Sequence, residues 1–300
     1  MQIRLSDHFS FGRLLRFTLP SIAMMILTSL YSVADGLFVS NMVGDIGLSA
    51  VNIMFPVAML IAAVGFMLGT GGTIASEMTP DGLTPELTPQ QLLRYVPAIS
   101  SLCRVDCKSL FSLDSTNITP AHWITVAQAL RDNYAHYDGF VISHGTDTMA
   151  YTAAALSYLV QGADKPIMIT GAQKPINYDS TDSKLNLTDA FVCACSGQLA
   201  GVDIVFSGRV ILGTRARKTC SKSFAAFSSI NYPDLAILHD HRLMRYIAPD
   251  TLPAPLFYDK LDEHVALVKM VPGTDPEVLD FLLTCNDALI IECFGCLLYT

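Results

Sequence analysis

Two different hydrophobic patterns divide this 300-residue chain. In the first part, apolar residues run almost without interruption. Between Phe17 and Val39 the only ionisable side chain is Asp35, and residues 51–69 carry no charge. An apolar run of about 20 residues is long enough to cross a bilayer as a helix. The pattern therefore predicts two membrane-spanning helices, within residues 14–40 and 51–69. The alternative is two buried helices of a soluble core.

The placement of arginines indicates how such spans would be oriented. Arg4, Arg13 and Arg16 precede the first span, and the linker of residues 41–50 has no Lys or Arg. Because positively charged flanks stay in the cytoplasm, both ends of the segment are expected there. Asp35 inside a span is costly and is a candidate proton or cation site, with an interfacial position near the helix end as the alternative.

The hydrophobic pattern changes from Glu77 onward, where short apolar runs alternate with amphipathic stretches. Helical spacing of apolar residues predicts helices, and short continuous apolar runs predict buried strands. The predicted helices are residues 119–134, 147–159 and 183–194, and the predicted strands are residues 139–143, 166–170 and 202–206. This order predicts an α/β fold in which helices flank a parallel sheet. In such a sheet, ligands bind beyond the carboxyl ends of the strands.

Composition narrows the function classes. The chain is 51% hydrophobic and only 15% charged, and its mean hydropathy is +0.40. Three basic and three acidic residues cancel in residues 1–69, so the whole net charge of −8 lies in residues 70–300. Because no basic patch balances this charge, nucleic acid is not expected as a partner. The eight cysteines show no recurring CxxC pair and no His at a metal-ligand spacing, so we expect reduced thiols and no metal site.

Three polar clusters follow predicted strand ends: TGGTIAS (residues 70–76), SHGTDTMAYT (143–152) and GRVILGTRARKT (208–219). Thr146 and Asp147 lie at a strand-to-helix turn, and Lys218 lies beyond a strand. A hydroxyl needs an adjacent base to act as a nucleophile. A lysine can be that base when desolvation or like charge favours its neutral form. The clusters together predict a threonine nucleophile, and no GxSxG motif competes with it. Taken singly, a Gly-rich turn, a helix cap and a solvated basic loop are the alternatives.

Five motifs stand out along this part of the chain, and three of them include one of these clusters. They are TGGTIAS, LDSTNITPAHW (113–123), YDGFVISHGTDTMAYTAAALSYL (137–159), KPIMITGAQKP (165–175) and GRVILGTRARKTCSKSFAAFSSINYP (208–233). Residues 70–295 thereby resemble a bacterial type I L-asparaginase, the cytoplasmic kind. The resemblance implies a large N-terminal and a small C-terminal α/β domain, and assembly into dimers or tetramers with shared active sites. It also implies hydrolysis of L-asparagine to L-aspartate and ammonia without a metal or organic cofactor.

The resemblance also assigns roles to single residues of this chain. Thr73, the second Thr of TGGTI, resembles the primary nucleophile, and Thr146, Asp147 and Lys218 resemble a second triad. By the same resemblance, the substrate's α-carboxylate and amino group are bound by Asp147 and by three consecutive residues: Asp114, Ser115 and Thr116. The implied mechanism is attack on the side-chain amide carbon, loss of ammonia, and hydrolysis of the aspartyl-enzyme ester. Backbone N–H groups near the Gly-rich turn and Thr146 would stabilise the oxyanion.

The first part of the chain has a resemblance of its own. LPSIAMMILTSLYSVADGLFVSNMVG (19–44) and FPVAMLIAAVGFMLGTGG (55–72) resemble the first two helices of a multidrug and toxic compound extrusion transporter. Such transporters have about twelve helices in two related halves, so two helices cannot form an alternating-access pathway. The resemblance over residues 1–72 therefore implies ancestry and not transport.

One short segment belongs to both patterns. VGFML (64–68) lies at the end of the second predicted span and directly before TGGTIAS. A parallel strand covered on both faces is also continuously hydrophobic, so VGFML could be the first strand of the sheet. It cannot be both a lipid-embedded helix and a strand of a soluble domain, and the two alternatives have opposite consequences for Thr73.

Two departures from the asparaginase pattern affect the expected function. Leu83 stands where many members have a Tyr that helps to activate the nucleophile, and Tyr178 or another side chain is a candidate substitute. After IIECFG (290–295) the chain ends in CLLYT, so we expect a truncated small domain, the product of a fusion and frameshift. A half-domain with an unpaired sheet edge invites aggregation and makes the family's homo-oligomer doubtful here.

The expected organisation has three parts. A hydrophobic helical segment occupies residues 1–69, a catalytic domain residues 70–235, and a truncated C-terminal domain residues 236–300. We expect a cytoplasmic catalytic domain that associates with the membrane through residues 14–69. The expected function is asparagine hydrolysis, and the alternative is an inactive or membrane-associated chimera with neither catalysis nor transport.

Overall fold

The computed structural model describes residues 63–79, 82–249 and 254–294. All described residues belong to one unit, Ala63–Thr300. The first predicted span and Asp35 lie outside the described residues. In the part that is described, no helix has both the length and the apolar character needed to cross a membrane.

Five α-helices and sixteen strands occur in the described residues. The helices are α1 (Pro89–Arg94), α2 (Pro120–Asn133), α3 (Met149–Leu159), α4 (Ser183–Cys195) and α5 (Pro276–Cys285). The first eight strands are β1 (Val64–Gly71), β2 (Ser76–Thr79), β3 (Gly82–Pro85), β4 (Arg104–Leu113), β5 (Gly139–Ser143), β6 (Val160–Gln161), β7 (Pro166–Thr170) and β8 (Gly201–Phe206). The other eight are β9 (Arg209–Leu212), β10 (Ala216–Lys218), β11 (Phe227–Ser229), β12 (Ala236–His239), β13 (Arg242–Arg245), β14 (Leu256–Phe257), β15 (Val265–Lys269) and β16 (Ala288–Glu292).

Eight strands form the central sheet, in the order β13-β12-β9-β8-β7-β5-β1-β4. The five strands from β4 to β8 in this order run parallel to their neighbours, whereas β9, β12 and β13 pair antiparallel. The sheet is therefore mixed, and the prediction of a parallel sheet was wrong for this edge. The cause is local, because Ser207 and Gly208 between β8 and β9, and Asp240 and His241 between β12 and β13, all have positive φ. Two-residue turns of that kind reverse the chain into a hairpin.

Strand β1 lies inside the sheet, between β4 and β5. Met67 and Leu68 are completely buried in it. The strand alternative for residues 64–68 is confirmed, and a membrane helix reaching Gly69 is wrong for the residues from Val64 onward. The uncharged run was ambiguous because a strand with both faces covered shows no alternation of polar and apolar residues.

Side chains of β1 alternate between two hydrophobic layers. Phe66 and Leu68 pack in one core cluster together with Leu156 of α3. Met67 points into a second cluster, which contains Phe191 of α4. Helices thus cover both faces of the sheet, as expected for an α/β fold. The six helices and strands predicted between residues 119 and 206 agree with α2 to α4 and with β5, β7 and β8 to within two residues at each end.

The described end of the chain contains a smaller α/β unit. Strands β15 and β16 pair in parallel, and helix α5 connects them. The hairpin β12–β13, which falls within predicted domain 236–300, belongs to the central sheet instead. The predicted boundary between residues 69 and 70 likewise falls inside β1.

Candidate active site

Three turns meet where β1, β4 and β5 end. The Gly72 N–H donates a hydrogen bond to the Leu113 carbonyl at 2.9 Å, which joins the turn after β1 to the end of β4. A Cβ atom on Gly72, whose φ is +79°, would overlap the backbone of Gly145 in the turn after β5. Because only glycine permits both this φ and this approach, TGGTI places the backbone next to Thr73 directly against the backbone next to Thr146.

The turn after β4 completes the same contact. A Cβ atom on Gly145 would lie 2.5 Å from the Ser115 Oγ and 3.2 Å from the Gly72 Cα. The Thr148 hydroxyl donates to the Ser115 carbonyl at 2.7 Å, which fixes the two turns to each other. The three motifs that carry Thr73, Ser115 and Thr146 therefore converge at the carboxyl edge of the sheet.

Lys218 reaches this edge from a separate hairpin. It ends β10, where it pairs with Phe227 of β11, and the buried Phe227 packs against Phe206 at 5.0 Å between ring centroids. The Lys218 Nζ lies 2.7 Å from the Thr146 Oγ1 and 2.6 Å from the Asp147 Oδ1. The hydroxyl, the amine and the carboxylate of the predicted second triad are thus in direct contact.

The side chains of Thr146, Lys218 and Asp147 differ in the fraction that is exposed to solvent. Thr146 is 5% exposed, and the side chains of Lys218 and Asp147 are 17% and 58% exposed. A charge-assisted hydrogen bond to a largely desolvated hydroxyl is stronger than one in water and favours negative charge on the oxygen. The arrangement can support nucleophilic or electrostatic catalysis at Thr146, while Asp147 faces solvent.

Thr73 is placed by its backbone. It begins a short 3-10 turn, Thr73–Ala75, directly after Gly72, and its side chain is half-buried. The Ser76 hydroxyl donates to the Gly72 carbonyl at 3.0 Å and closes the turn. In the described ranges, the two side-chain hydrogen bonds of the Lys218 ammonium go to Thr146 and Asp147. The structure therefore connects the lysine to the second threonine, and the close approach of Gly72 to Gly145 brings the backbone next to Thr73 near that turn.

Asp114, Ser115 and Thr116 form the turn after β4. The Asp114 Oδ1 accepts hydrogen bonds from the Thr116 N–H and the Thr116 hydroxyl, both at 2.8 Å. Asp114 and Thr116 are exposed and Ser115 is buried. The predicted substrate-binding residues are thus next to the site, with one carboxylate that caps its own turn.

An open cleft of about 670 Å³ lies beside the Asp147–Lys218 ion pair. Its walls come from helix α3, from residues 214–218 and from three single side chains. The lining residues are Asp147, Ala150, Tyr151, Ala154, Thr214, Arg215, Ala216, Arg217, Lys218, Ile230 and Glu292. Thr73, Thr146 and residues 114–116 are not among these lining residues, so the cleft adjoins the ion pair and not the two threonines.

The two residues considered for activating Thr73 have different surroundings. Leu83 lies in β3, opposite Met78 of β2, and its side chain is 47% exposed. The Tyr178 N–H donates to the Pro175 carbonyl at 3.2 Å. Substitution of the family's tyrosine by Tyr178 stays a prediction.

One group of three possible metal ligands occurs among residues 63–79, 82–249 and 254–294. It consists of Asp262, His264 and Asp287, all exposed, and none of them is a predicted site residue. The cysteines in these ranges are all free. No cofactor is expected from the donor set at Thr146 and Lys218, which consists of a hydroxyl, an amine and a carboxylate.

His144 is a site neighbour that the sequence pattern did not single out. Its ring is completely buried behind the Gly145 turn, and burial lowers the pKa of its imidazole to about 4. The Nδ1 lies 2.7 Å from the Gly145 carbonyl and the Nε2 lies 2.9 Å from the Thr152 hydroxyl. Its position directly before Gly145 and Thr146 was the only sequence signal for this role.

Comparison with known proteins adds families and relatives to this geometry. The family model "Asparaginase, N-terminal" matches residues 66–249, and the model "MatE" matches residues 20–76. The overlap of the two matches, residues 66–76, lies in β1, the following turn and the first residue of β2. These residues therefore belong to the α/β sheet domain in the structure.

Curated relatives include asparaginases and one component of a glutamyl-tRNA(Gln) amidotransferase. The L-asparaginase of Thermococcus kodakarensis is 36% identical over 231 residues, which cover 76% of this chain and 70% of that protein. The amidotransferase component, from Pyrococcus furiosus, is also 36% identical over 231 residues, with 72% of this chain covered. This chain spans only about half of that component, 52% of its length.

Solved structures show the same fold. The thermostable L-asparaginase from Thermococcus kodakarensis has a TM-score of 0.71 at 35% identity, covering 77% of this chain and 71% of that one. The probable cytoplasmic L-asparaginase from Campylobacter jejuni has a TM-score of 0.66 at 26% identity, covering 76% of this chain and 73% of that one. Archaeal and bacterial proteins both match, so these similarities do not single out the bacterial type I branch. They establish that the chain belongs to the asparaginase family of amidohydrolases.

Proposed function

We propose that this chain hydrolyses the side-chain amide of L-asparagine to L-aspartate and ammonia through a threonine acyl-enzyme. The observation that carries the proposal is the position of the Lys218 Nζ, 2.7 Å from the Thr146 Oγ1 and 2.6 Å from the Asp147 Oδ1. A hydroxyl in contact with an amine, with a second hydroxyl on a nearby glycine turn, supplies the nucleophile and the base for amide hydrolysis without a metal.

Thr73 is the proposed primary nucleophile. Its Oγ attacks the amide carbon of the substrate side chain and forms a C–O bond, and the hydroxyl proton passes to the departing ammonia as the C–N bond breaks. Water then attacks the resulting ester, releases aspartate and restores the hydroxyl. The Gly72 contact with the Gly145 turn keeps Thr73 close to the second triad during both steps.

Thr146, Lys218 and Asp147 act as one proton-handling unit in this proposal. In its amine form, Lys218 takes the Thr146 proton, and Asp147 orients it through the 2.6 Å contact. In its ammonium form, Lys218 stabilises negative charge on the Thr146 oxygen. The low exposure of Thr146 strengthens both interactions because water does not screen them.

Substrate recognition is assigned to the turn after β4 and to Asp147. The carboxylates of Asp114 and Asp147 attract the substrate ammonium, and Ser115 is proposed to donate to the α-carboxylate. The Thr116 N–H and hydroxyl both donate to the Asp114 Oδ1, so Thr116 holds that carboxylate in place. Both hydrogen bonds of Asp114 within its turn use Oδ1, so its Oδ2 is the oxygen offered to a ligand.

A free amino acid is the favoured substrate class over an amide carried on tRNA. The region from residue 70 onward holds the whole net charge of −8, which opposes a polyphosphate partner. We further propose a cytoplasmic location for the domain, by analogy with the Campylobacter jejuni protein. Assembly into homo-oligomers and the bacterial type I assignment stay predictions from the resemblance.

Ammonia release from L-asparagine tests the proposal. The purified chain, the variants Thr73→Val and Thr146→Val, and the control Thr219→Val are compared at equal folded concentration by circular dichroism. Thr219 lies next to Lys218, but its hydroxyl contacts Ser228 on the neighbouring strand. We expect release by the wild type and the control, and loss in both site variants. An acid quench followed by mass spectrometry then reports which variant accumulates the aspartyl ester. A folded wild type that releases no ammonia above a blank contradicts the proposal.

A further inference from the structure

A continuous chain of hydrogen bonds runs from helix α2 to the turn that carries Thr146. The Trp123 Nε1 lies 2.9 Å from the Thr152 Oγ1. The same hydroxyl lies 2.9 Å from the His144 Nε2, and the His144 Nδ1 lies 2.7 Å from the Gly145 carbonyl oxygen. Thr152 and His144 are each 1% exposed, so water does not compete for these bonds.

The chemistry of the four groups determines which one donates in each of these hydrogen bonds. The Gly145 carbonyl only accepts, so the His144 Nδ1 carries a hydrogen. Burial holds the pKa of His144 at about 4, so the ring is neutral above that pH and its Nε2 accepts. The Thr152 hydroxyl therefore donates to His144 and receives the indole N–H of Trp123, which can only donate. Each donor meets one acceptor from Trp123 to Gly145.

The last bond of the chain acts on the peptide that joins Gly145 to Thr146. The peptide is planar, and no cis peptide bond occurs in the described residues, so the Thr146 N–H points away from the Gly145 carbonyl. Holding the carbonyl against the buried imidazole directs that N–H to the opposite side. A hydrogen bond to the carbonyl also polarises the amide and makes its N–H a stronger donor.

We propose that Trp123, Thr152 and His144 form a positioning relay that orients and polarises the Thr146 N–H as a hydrogen-bond donor to the oxyanion of amide hydrolysis. The inference rests on the proposed function. It adds three residues that touch neither the substrate nor the reacting atoms and act through the Gly145–Thr146 peptide. The relay has no proton to deliver, because the imidazole is neutral and stays in one tautomer.

Two substitutions of Thr152 separate the relay from simple packing. Thr152→Val keeps the shape and loses the hydroxyl, whereas Thr152→Ser keeps the hydroxyl and loses a methyl group. The relay predicts that Thr152→Val lowers kcat about tenfold with KM unchanged, less than the roughly 10²–10³ that complete loss of an oxyanion donor costs. It predicts that Thr152→Ser stays near wild type. A packing role predicts the reverse order, and that result overturns the proposal.

Ser157→Ala is the matched control on the same helix. Its hydroxyl donates only within α3, to the Ala153 carbonyl at 2.7 Å, so its loss leaves kcat unchanged. If Thr152→Val fails to fold by circular dichroism, Trp123→Phe replaces it as the test variant. The relay then predicts a smaller loss of kcat in the same direction, because only the far end of the chain of bonds is cut. Full activity in folded Trp123→Phe contradicts it.

Nitrogen-15 NMR of the imidazoles tests the relay without any substrate. We expect a neutral His144 ring protonated at Nδ1, assigned by the loss of its signal in His144→Gln, and a shifted Nε2 resonance in Thr152→Val. A ring protonated at Nε2 overturns the relay. If the wild type releases no ammonia while the NMR signature is as expected, amide hydrolysis fails and the hydrogen-bond chain itself is supported.

Discussion

The Lys218 ammonium lies 2.7 Å from the Thr146 hydroxyl, although 72 residues separate the two along the chain. The contact depends on the β10–β11 hairpin, which is anchored by the buried Phe227. It also depends on the turn after β5, where Gly145 allows Ser115 and Gly72 to pack closely. Two separate parts of the domain must therefore fold correctly before the amine meets the hydroxyl.

Removing the amine tests whether this contact is catalytic. Lys218→Met keeps the length of the side chain and removes its donors. We expect kcat for ammonia release to fall by about 10²–10⁴, the contribution of a positioned acid or base. The measurement is steady-state ammonia release, with folding checked by circular dichroism. Lys222→Met is the control, because Lys222 is exposed four residues further along the chain. Equal kcat in the two variants would show that Lys218 is a structural ion-pair partner only.

The glycine contact that brings the two threonines together is open to a separate test. In Gly72→Ala the new methyl group overlaps the Gly145 backbone at a φ of +79°. Strain of this kind costs about 1–3 kcal/mol, so both Tm and kcat should fall. Gly65→Ala is the control within β1, because a Cβ atom there meets its nearest neighbours at an ordinary 3.6 Å. Thermal unfolding that is the same for both variants would contradict the close approach.

The burial of Asp203 predicts that the stability of the domain depends on pH, independently of catalysis. It is completely buried in β8, and neither carboxyl oxygen has a hydrogen-bond partner among the described residues. Burial raises the pKa of Asp203 well above its ordinary value. Well below about pH 4 the carboxyl is protonated in both the folded and the unfolded chain. As the pH rises, the unfolded chain releases the proton first, so this residue increasingly favours unfolding.

Asp203→Val should therefore stabilise the chain, and more so at pH 8 than at pH 4. Removal of a buried unpaired polar group increases the free energy of unfolding by about 1–3 kcal/mol. Each kcal/mol raises Tm by about 2–4 °C in a domain of this size. Asp203→Asn removes only the ionisation and should recover the pH-dependent part of the gain. Differential scanning calorimetry across this pH range measures both variants. A gain in Tm that is equal at pH 4 and pH 8 would refute the assignment.

Much of the domain was predictable because its signals are local. Pro120 begins α2, and the Thr119 N–H bonds to the His122 ring at 3.0 Å, so both ends of that turn are specified by neighbours in sequence. The polar clusters marked the carboxyl edge of the sheet for the same reason. The antiparallel edge was missed because two short turns, at Ser207 and at Asp240, decide it through positive φ values that their residue types do not require.

Contacts between distant residues could not be predicted from spacing alone. Nothing in the sequence around His144 distinguishes it from an ordinary buried histidine. Trp123, at the other end of the relay, lies in helix α2, 29 residues before Thr152. Lys218 was placed by resemblance to a family, since nothing in its neighbours specifies a contact with Thr146. Residues 64–68 were ambiguous for a physical reason, because a lipid-facing helix and a fully covered strand impose the same apolar composition.

Leu68 distinguishes those two environments by experiment. It is completely buried in β1, within the core cluster that contains Phe140 and Leu156, so Leu68→Ala removes packed atoms and leaves a cavity. We expect the free energy of unfolding to fall by about 2–5 kcal/mol in urea titrations. Met78→Ala, at a side chain that is 67% exposed, should change it by less than about 0.5 kcal/mol. A lipid-facing Leu68 would contribute no core packing, so equal midpoints for the two variants would return residues 64–68 to the membrane helix and detach Thr73 from the sheet.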